Sequence, residues 1–269
     1  MIVRTDAVVL RAFDYGETSR IVRLLTRQHG VIGVLARGAR RPKSTFGSAL
    51  QPTSYVQVVY YHRPQRGLQT LKEAAHAERY KRLLAEMDRV TGAMRAVEVA
   101  RVLLDEGEAH PLALDLLVRT LRFIDATDDN VGNAAPWFQL RLAALLGFAP
   151  DVQREDVEAL GETGGRLLVR SGTIVADGAE ASAGGLLSSG EGVKASRAAL
   201  RAFAVLARTG LDVAGRMRLT PDTLRELEGL VDAFVRTHTE ATHPERVRVV
   251  ADQMEARLRA LADGLGGRT

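Results

Sequence analysis

The segment Tyr55-Val56-Gln57-Val58-Val59-Tyr60-Tyr61 carries the strongest strand signal in this chain. β-Branched and aromatic residues fill it, and such residues favour a pleated, half-buried strand. Because side chains alternate between the two faces of a strand, one face carries Val56, Val58 and Tyr60. The other face carries Tyr55, Gln57, Val59, Tyr61 and, just beyond, Arg63. We expect the first face to line a barrel, whereas the second either stacks flat ligands or covers a hydrophobic seam against the next domain.

Four further runs of strand length accompany this segment within the first 80 residues. They are rich in β-branched or apolar residues and comprise residues 8–10, 21–26, 31–36 and 68–71. Turn residues separate them, and the longest gap, residues 38–52, lies between the third and fourth strands. Five short strands with the main insertion after the third favour a small closed barrel of the OB type.

The hydrophobic period changes after residue 80. Apolar residues then recur at three- and four-residue spacing, which is typical of helices. Six helices are predicted, at residues 83–106, 111–126, 135–146, 195–208, 221–237 and 244–265. Between the third and fourth helices, residues 150–193 lose this period and are rich in Gly and Ser. A small hairpin is predicted inside that segment, around Ser171-Gly172.

These patterns predict an α+β multidomain protein. Residues 1–80 form an N-terminal OB-fold β-barrel, and the strands and helices meet near residues 77–82. Residues 81–269 form an all-α helical domain with a Gly/Ser-rich, irregular insertion at about 150–193.

Charge is distributed unevenly along the chain. The net charge is +4, yet the first 80 residues hold thirteen Lys and Arg against five Asp and Glu, and the remaining 189 hold 24 against 28. From Thr18 to Lys72 there are ten basic residues and no acidic one. A soluble surface normally mixes both signs, so this stretch predicts a polyanionic partner, most commonly nucleic acid. All five tyrosines lie in the same 80 residues, and rings that stack on bases suit an OB-fold nucleic-acid-binding domain.

Composition argues against several functional classes. The chain has no cysteine, which excludes disulfides, thiolate nucleophiles and Cys-ligated zinc. The six histidines are scattered, and no nucleophile-elbow, zinc-protease or dinucleotide-binding motif occurs, so we expect no enzyme activity. Arg4 and Asp6 lie where a signal peptide has its apolar core, and no apolar run reaches about 18 residues. We therefore expect no membrane partner and a cytoplasmic, nucleoid-associated protein.

Several stretches resemble a known family. Tyr15-Gly16-Glu17-Thr18-Ser19-Arg20-Ile21-Val22 and Leu25-Thr26-Arg27-Gln28-His29-Gly30 are similar to the opening of the bacterial DNA repair and recombination family RecO. So are Ala36-Arg37-Gly38-Ala39-Arg40-Arg41-Pro42-Lys43-Ser44 and Leu50-Gln51-Pro52. Leu145-Leu146-Gly147-Phe148-Ala149-Pro150 resembles the helix end that precedes the zinc-binding insertion of the family. The resemblance is dense over residues 7–75 and recurs at 137–150.

The resemblance implies an OB-fold, a helical domain, binding of single- and double-stranded DNA and annealing of complementary strands. It also implies partnership with RecR and with single-stranded-DNA-binding protein (SSB) to load RecA. Many members of the family carry four cysteines in the segment that matches residues 151–190. This chain has neither Cys nor His there, so we expect the zinc site to be lost and no cofactor to be bound.

The candidate DNA-binding residues are those able to screen phosphates without reading sequence. Arginine suits this role because its fork pairs with phosphate oxygens and its plane stacks on bases. The first group surrounds the loop after the third strand and comprises Arg37, Arg40, Arg41 and Lys43. The second group comprises Arg20, Arg23, Arg63 and Arg66, with Tyr55 and Tyr61 as candidate stacking residues. We expect a few of these arginines to pair instead with Asp6, Asp14, Glu17 or the acidic helical domain.

Two other functions fit the same pattern. An OB-fold RNA-binding module would use the basic face and the rings in the same way, and 2′-hydroxyl contacts would make it favour RNA. A protein-interaction adaptor would instead use the basic face to dock an acidic partner protein.

Overall fold

Five strands form a closed barrel in the computed structural model, which describes residues 1–128, 130–176 and 192–242. The strands are β1 (Ile2–Tyr15), β2 (Ser19–Thr26), β3 (Gly30–Ala36), β4 (Tyr55–Tyr61) and β5 (Leu68–Glu78). Their order is β1-β2-β3-β5-β4, and β1 pairs with β4 to close the barrel. β3 and β5 are parallel, and the other neighbours are antiparallel. The predicted OB-type barrel is confirmed.

Closure depends on β1, which is 14 residues long and pairs along both of its edges. Its first half pairs with β4, beginning with Ile2 opposite Tyr61. Its second half pairs with β2, and a bulge between Val9 and Arg11 bends the strand there. The predicted strand at 8–10 was too short, because the bulge breaks the alternation and polar outward residues conceal the strand on either side.

The barrel interior is apolar. Val56, Val58 and Tyr60 are fully buried in it, as their alternation predicts. The 3-10 helix Gly47–Leu50 in the long β3–β4 connection packs against the same core. The Tyr60 hydroxyl lies 2.7 Å from His29 Nδ1, and burial raises the pKa of Tyr60 to about 12.

Seven α-helices follow the barrel within the part of the chain that the structure describes. They are α1 (Met87–Leu103), α2 (Pro111–Ala126), α3 (Ala134–Leu145), α4 (Arg154–Glu158), α5 (Arg197–Arg208), α6 (Leu211–Arg216) and α7 (Pro221–Thr242). No helix of the described residues is both long enough and apolar enough to cross a membrane.

The predicted helix at 111–126 is confirmed at both ends, whereas the one at 83–106 began too early. The Asp125 carboxylate accepts hydrogen bonds at 2.8 Å from the backbone N–H groups of Arg82 and Leu83, which holds a turn there. The helices α4 and α6 were missed because five or six residues are too few to show a period. The helix predicted at 244–265 lies outside the described residues.

A small three-stranded sheet occupies the described part of the Gly/Ser-rich segment. Strands β6 (Gly165–Leu168) and β7 (Thr173–Ala176) form the predicted hairpin, and β8 (Gly192–Ala195) pairs with the other edge of β6. Leu167 and Ile174 are buried in the core of the helices, so apolar contacts fix this sheet in place. Residues 177–191 of the segment lie outside the described residues.

The barrel and the helices meet at an apolar seam. Four outward residues of the barrel are buried in the same cluster as the helical core: Val8, Leu10, Leu25 and Val31. Among the described residues, three ion pairs join the two parts: Arg23–Glu106, Arg27–Asp115 and Arg122–Glu78. The hydrogen bond from Arg27 holds the pKa of Asp115 below its usual value. Because the apolar core is continuous across the seam, the division into two domains at residue 80 stays a prediction.

Gly30 begins β3 and lies against the backbone of the segment between α1 and α2. Its φ is +58°, and a Cβ there would come within 1.7 Å of the Glu108 carbonyl oxygen. We expect Gly30→Ala to lower the free energy of unfolding by about 3 kcal/mol, because left-handed strain adds to a backbone clash.

The matched control is Gly16→Ala. Gly16 has a φ of +59° with nothing within 4 Å of its virtual Cβ, so only the conformational strain remains, about 1 kcal/mol. Urea unfolding of the two variants compares these costs. If both substitutions lower the free energy of unfolding equally, the Glu108 backbone does not pack against Gly30 and the contact is wrong.

Candidate nucleic-acid interface

A groove of about 290 Å³ lies where β4 ends and β5 begins, next to the end of β3. The residue that follows β3 lines it together with residues of β4, β5 and the β4–β5 loop: Arg37, Tyr61, Arg63, Arg66, Leu68, Gln69 and Thr70. Thr70 of β5 stands between Leu35 of β3 and Tyr61 of β4 in the strand register. The parallel pairing of β3 with β5 therefore brings three predicted cations and one predicted stacking ring to a single place.

The three arginines of this groove carry uncompensated positive charge. Arg37, Arg63 and Arg66 are exposed, no acidic residue lines the groove, and none of the three forms an ion pair with a residue that the structure describes. Their planar forks therefore remain available to an anion, and each can pair with two phosphate oxygens. Tyr61 is 42% exposed and presents its ring beside them.

A row of outward side chains crosses the strands beside the groove, and we call it the apolar row. The strand register places its members side by side: Phe13 on β1, Ile21 on β2, Leu35 on β3, Thr70 on β5 and Tyr61 on β4. Neighbouring strands lie about 4.8 Å apart, so the row is a nearly continuous strip with an aromatic ring at each end. The ring of Phe13 is 43% exposed.

Sequence reasoning missed Phe13, Ile21 and Leu35 as members of this surface. The signal was present in the alternation of β2 and β3, whose buried partners Val22 and Val34 define the inner face. The solvent exposure of the outer positions depends on where the helices cover the barrel. A local sequence pattern does not predict that packing.

The remaining cations of the first predicted group lie in the loop after β3. Arg41 and Lys43 are exposed, and neither has an ion-pair partner in the described part of the chain. Arg40 instead shares Asp14 with Arg20, at 3.2 and 3.0 Å respectively. Two predicted DNA-binding arginines are thus partly neutralised, and the expected pairing with Asp14 is confirmed.

Arg23 and Tyr55 lie on the seam side of the barrel. Arg23 pairs with Glu106 of the helical part, as expected of some arginines. Tyr55 is half-buried against the helical core, with the guanidinium carbon of Arg122 at 5.9 Å from its ring centroid, and burial raises its pKa. The outward face of β4 therefore does both things that its pattern allowed: Tyr55 covers the seam, and Tyr61 remains on the open surface.

Family profiles match both parts of this chain. The profile of "Recombination protein O N terminal" matches residues 1–80, and that of "Recombination protein O C terminal" matches residues 84–246. The chain belongs to the RecO family. The resemblance stated from its motifs is confirmed, and the barrel and helices described above are the folds of the two RecO segments.

Curated RecO-family proteins are similar over most of the chain. "DNA repair protein RecO" of Salinibacter ruber is 45% identical over 255 residues, which cover 94% of this chain and 95% of that protein. The protein of the same name from Nocardioides sp. is 32% identical over 250 residues, covering 89% and 96% respectively. That of Exiguobacterium sibiricum is 37% identical over 152 residues, covering 56% of this chain and 59% of its own.

The segment that matches the zinc-binding insertion of other RecO proteins has apolar anchors in this chain. His238 of α7 stacks on Phe148 with ring centroids 5.1 Å apart, and Gly172 lies against Pro150 and Phe234. Within residues 1–128, 130–176 and 192–242, no three His, Cys, Asp or Glu residues group as metal ligands would. Since a structural zinc site usually takes several thiolates, these residues do not fit one. That the protein binds no cofactor stays a prediction.

The two outward tyrosines of β4 provide a test of this division between seam and open surface. We expect Tyr55→Ala to lower the free energy of unfolding by about 2 kcal/mol, because packing on the helices and the contact with Arg122 are lost. Tyr61→Ala should cost less, about 0.5 kcal/mol, since its ring is 42% exposed and does not pack on the helices. Urea unfolding followed by circular dichroism measures both, and a reversed order would contradict the placement of the seam.

Proposed function

We propose that this RecO-family protein is a DNA-binding recombination mediator. It binds single- and double-stranded DNA, anneals complementary strands and assists the loading of RecA onto single-stranded DNA coated with SSB. The observation that carries the proposal is the acid-free groove of three arginines beside the apolar row on an OB-type barrel.

The groove and the row supply the two contacts that sequence-independent binding needs. Arg37, Arg63 and Arg66 pair with phosphates, which carry no sequence information. The rings of Phe13 and Tyr61 stack on bases, and every base has a face on which a ring can stack. The affinity should therefore depend weakly on sequence and steeply on salt.

Annealing follows from what these contacts leave free. Ion pairs occupy phosphate oxygens and rings occupy base faces, so the Watson–Crick edges stay available to a complementary strand. Neutralised phosphates also lower the repulsion between two strands. Arg41 and Lys43, exposed in the loop that begins at the groove residue Arg37, extend the positive surface toward a second strand.

Family membership supports the remaining parts of the proposal. RecR and SSB are the proposed direct protein partners, and RecA is a proposed indirect partner. The helical part provides the docking surface, while the barrel holds DNA. The protein acts in the cytoplasm at the nucleoid, without a cofactor and without catalysing a covalent step.

The first test concerns salt. Replacing both groove arginines of the β4–β5 loop, Arg63→Ala with Arg66→Ala, should reduce the log–log salt slope for single-stranded DNA by about 1.4, because each lost phosphate contact removes about 0.7. Fluorescence anisotropy with a labelled oligonucleotide over a range of salt concentrations measures the slope.

The control removes the same net charge elsewhere. Arg154 and Arg225 are exposed on α4 and α7 and pair with Glu158 and Asp222, so replacing both by Ala should leave the slope unchanged. If the two double variants weaken binding equally, net charge rather than the groove governs affinity and the proposed interface is wrong.

The second test concerns the mediator role. We expect the chain to accelerate annealing of complementary DNA strands coated with SSB, and the Arg63→Ala, Arg66→Ala variant to anneal at least about tenfold more slowly, which corresponds to a loss of about 1.4 kcal/mol. Quenching of a fluorophore pair on the two strands reports the rate. Absence of acceleration by the unsubstituted chain would refute the mediator role, and tighter binding of a matched RNA strand would favour the RNA-binding alternative.

A further inference from the structure

Gln69 is a polar residue in a place where the barrel is otherwise apolar. It lies on β5 on the same face as the core residue Leu71, and it is only 6% exposed. A buried amide needs partners for one acceptor and two donor positions. All the hydrogen bonds that the structure gives the Gln69 side chain go to one segment, the β4–β5 loop.

The Gln69 amide holds this loop by three hydrogen bonds. Its Oε1 accepts from the backbone N–H of Arg63 at 2.7 Å. Its Nε2 donates to the carbonyl oxygens of Arg63 at 3.1 Å and of Arg66 at 2.5 Å. The loop also closes on itself, since the Arg66 N–H donates to the Arg63 carbonyl at 3.0 Å.

These bonds act on the backbone of the two residues whose side chains supply two of the three groove cations. With their carbonyl groups turned inward toward Gln69, Arg63 and Arg66 both expose their side chains at the groove. A loop held in this way has lost its conformational freedom before DNA arrives, so binding does not have to order it. The bonds come from a side chain that is almost fully buried, so solvent competes with them less than with hydrogen bonds on the open surface.

We propose that Gln69 is a positioning residue for DNA binding, which sets the place of the Arg63 and Arg66 guanidinium groups through the backbone of these two residues. The inference rests on the proposed function. In this view the buried amide fixes the distance between two phosphate-binding arginines. The β4–β5 loop is then ordered before DNA binds.

The test replaces the amide by side chains of similar size. Gln69→Met keeps the length of the side chain but has neither donor nor strong acceptor. Gln69→Glu keeps the shape, but its carboxylate cannot donate to the two carbonyl groups. The matched control is Gln57→Glu, which adds the same negative charge to the barrel as Gln69→Glu. Gln57 is exposed on the outward face of the adjacent strand β4.

We expect Gln69→Met to weaken binding of a labelled single-stranded oligonucleotide five- to tenfold at moderate salt and to reduce the salt slope by about 1, since two cations lose their fixed positions. In the Arg63→Ala, Arg66→Ala background, Gln69→Met should change affinity by less than twofold, because residues that act through one another are not additive. Gln57→Glu should leave the slope unchanged.

Loop order is measured separately by limited trypsin digestion. Trypsin cuts after arginine but not before proline, so Arg63-Pro64 resists it and Arg66-Gly67 reports on the loop. We expect cleavage at Arg66 to be faster in both Gln69 variants than in the unsubstituted chain, with thermal unfolding checked in parallel.

The outcomes separate this inference from the proposed function. If the unsubstituted chain and the Arg63→Ala, Arg66→Ala variant have the same salt slope, the proposed interface is wrong. The role of Gln69 in affinity is then wrong as well. If the slope depends on both arginines but Gln69→Met and Gln69→Glu bind normally, the positioning role is wrong. An equal loss in the background without the arginines would also overturn it, since Gln69 would then act on the whole barrel. Should Gln69→Met fail to fold, the same comparisons with Gln69→Glu decide.

Discussion

Closure of the barrel by β1 is the constraint on which the rest of the structure depends. Because β1 pairs with β2 along one part and with β4 along the other, all five strands lose their exposed edges. Each strand then has one face inside and one face outside. The inner faces fill a single apolar core, and the outer faces are left to two different tasks. One side packs against helices through Val8 and Leu25, and the other presents the apolar row to solvent.

The helices sort the arginines of the barrel by supplying carboxylates on one side of it. Arg23 and Arg27 lie on the seam side, and Glu106 and Asp115 neutralise them there. The groove lies beyond the reach of these acids, and none of its arginines forms an ion pair with a residue that the structure describes. An acid-free stretch of sequence has thus been divided into cations that hold the protein together and cations that remain available to a polyanion.

Much of the fold was predictable from residue patterns, for reasons that are local. The alternation in β4 placed Val56 and Tyr60 inside the barrel, and the period of α2 gave both of its ends. Two predictions were wrong for reasons that are not local: a bulge at Val9 interrupts the alternation along β1, and the Asp125 carboxylate holds a turn at Arg82 and Leu83, where the start of α1 was predicted. Both depend on partners distant in the chain, which a local pattern does not contain.

The chemistry of the candidate interface was a prediction from composition, since an excess of arginine without acid and a set of tyrosines predicts a partner with phosphates and flat bases. The selection among those residues came from three-dimensional contacts alone. Tyr55 and Tyr61 occupy equivalent positions of one alternation, yet one lies under helices and the other in the groove. The same holds for Arg23 and Arg63, which differ in whether a carboxylate of the helical part reaches them. Side-chain type sets what a residue can bind, but burial and ion pairing depend on which distant segments pack beside it, and packing is a property of the folded chain.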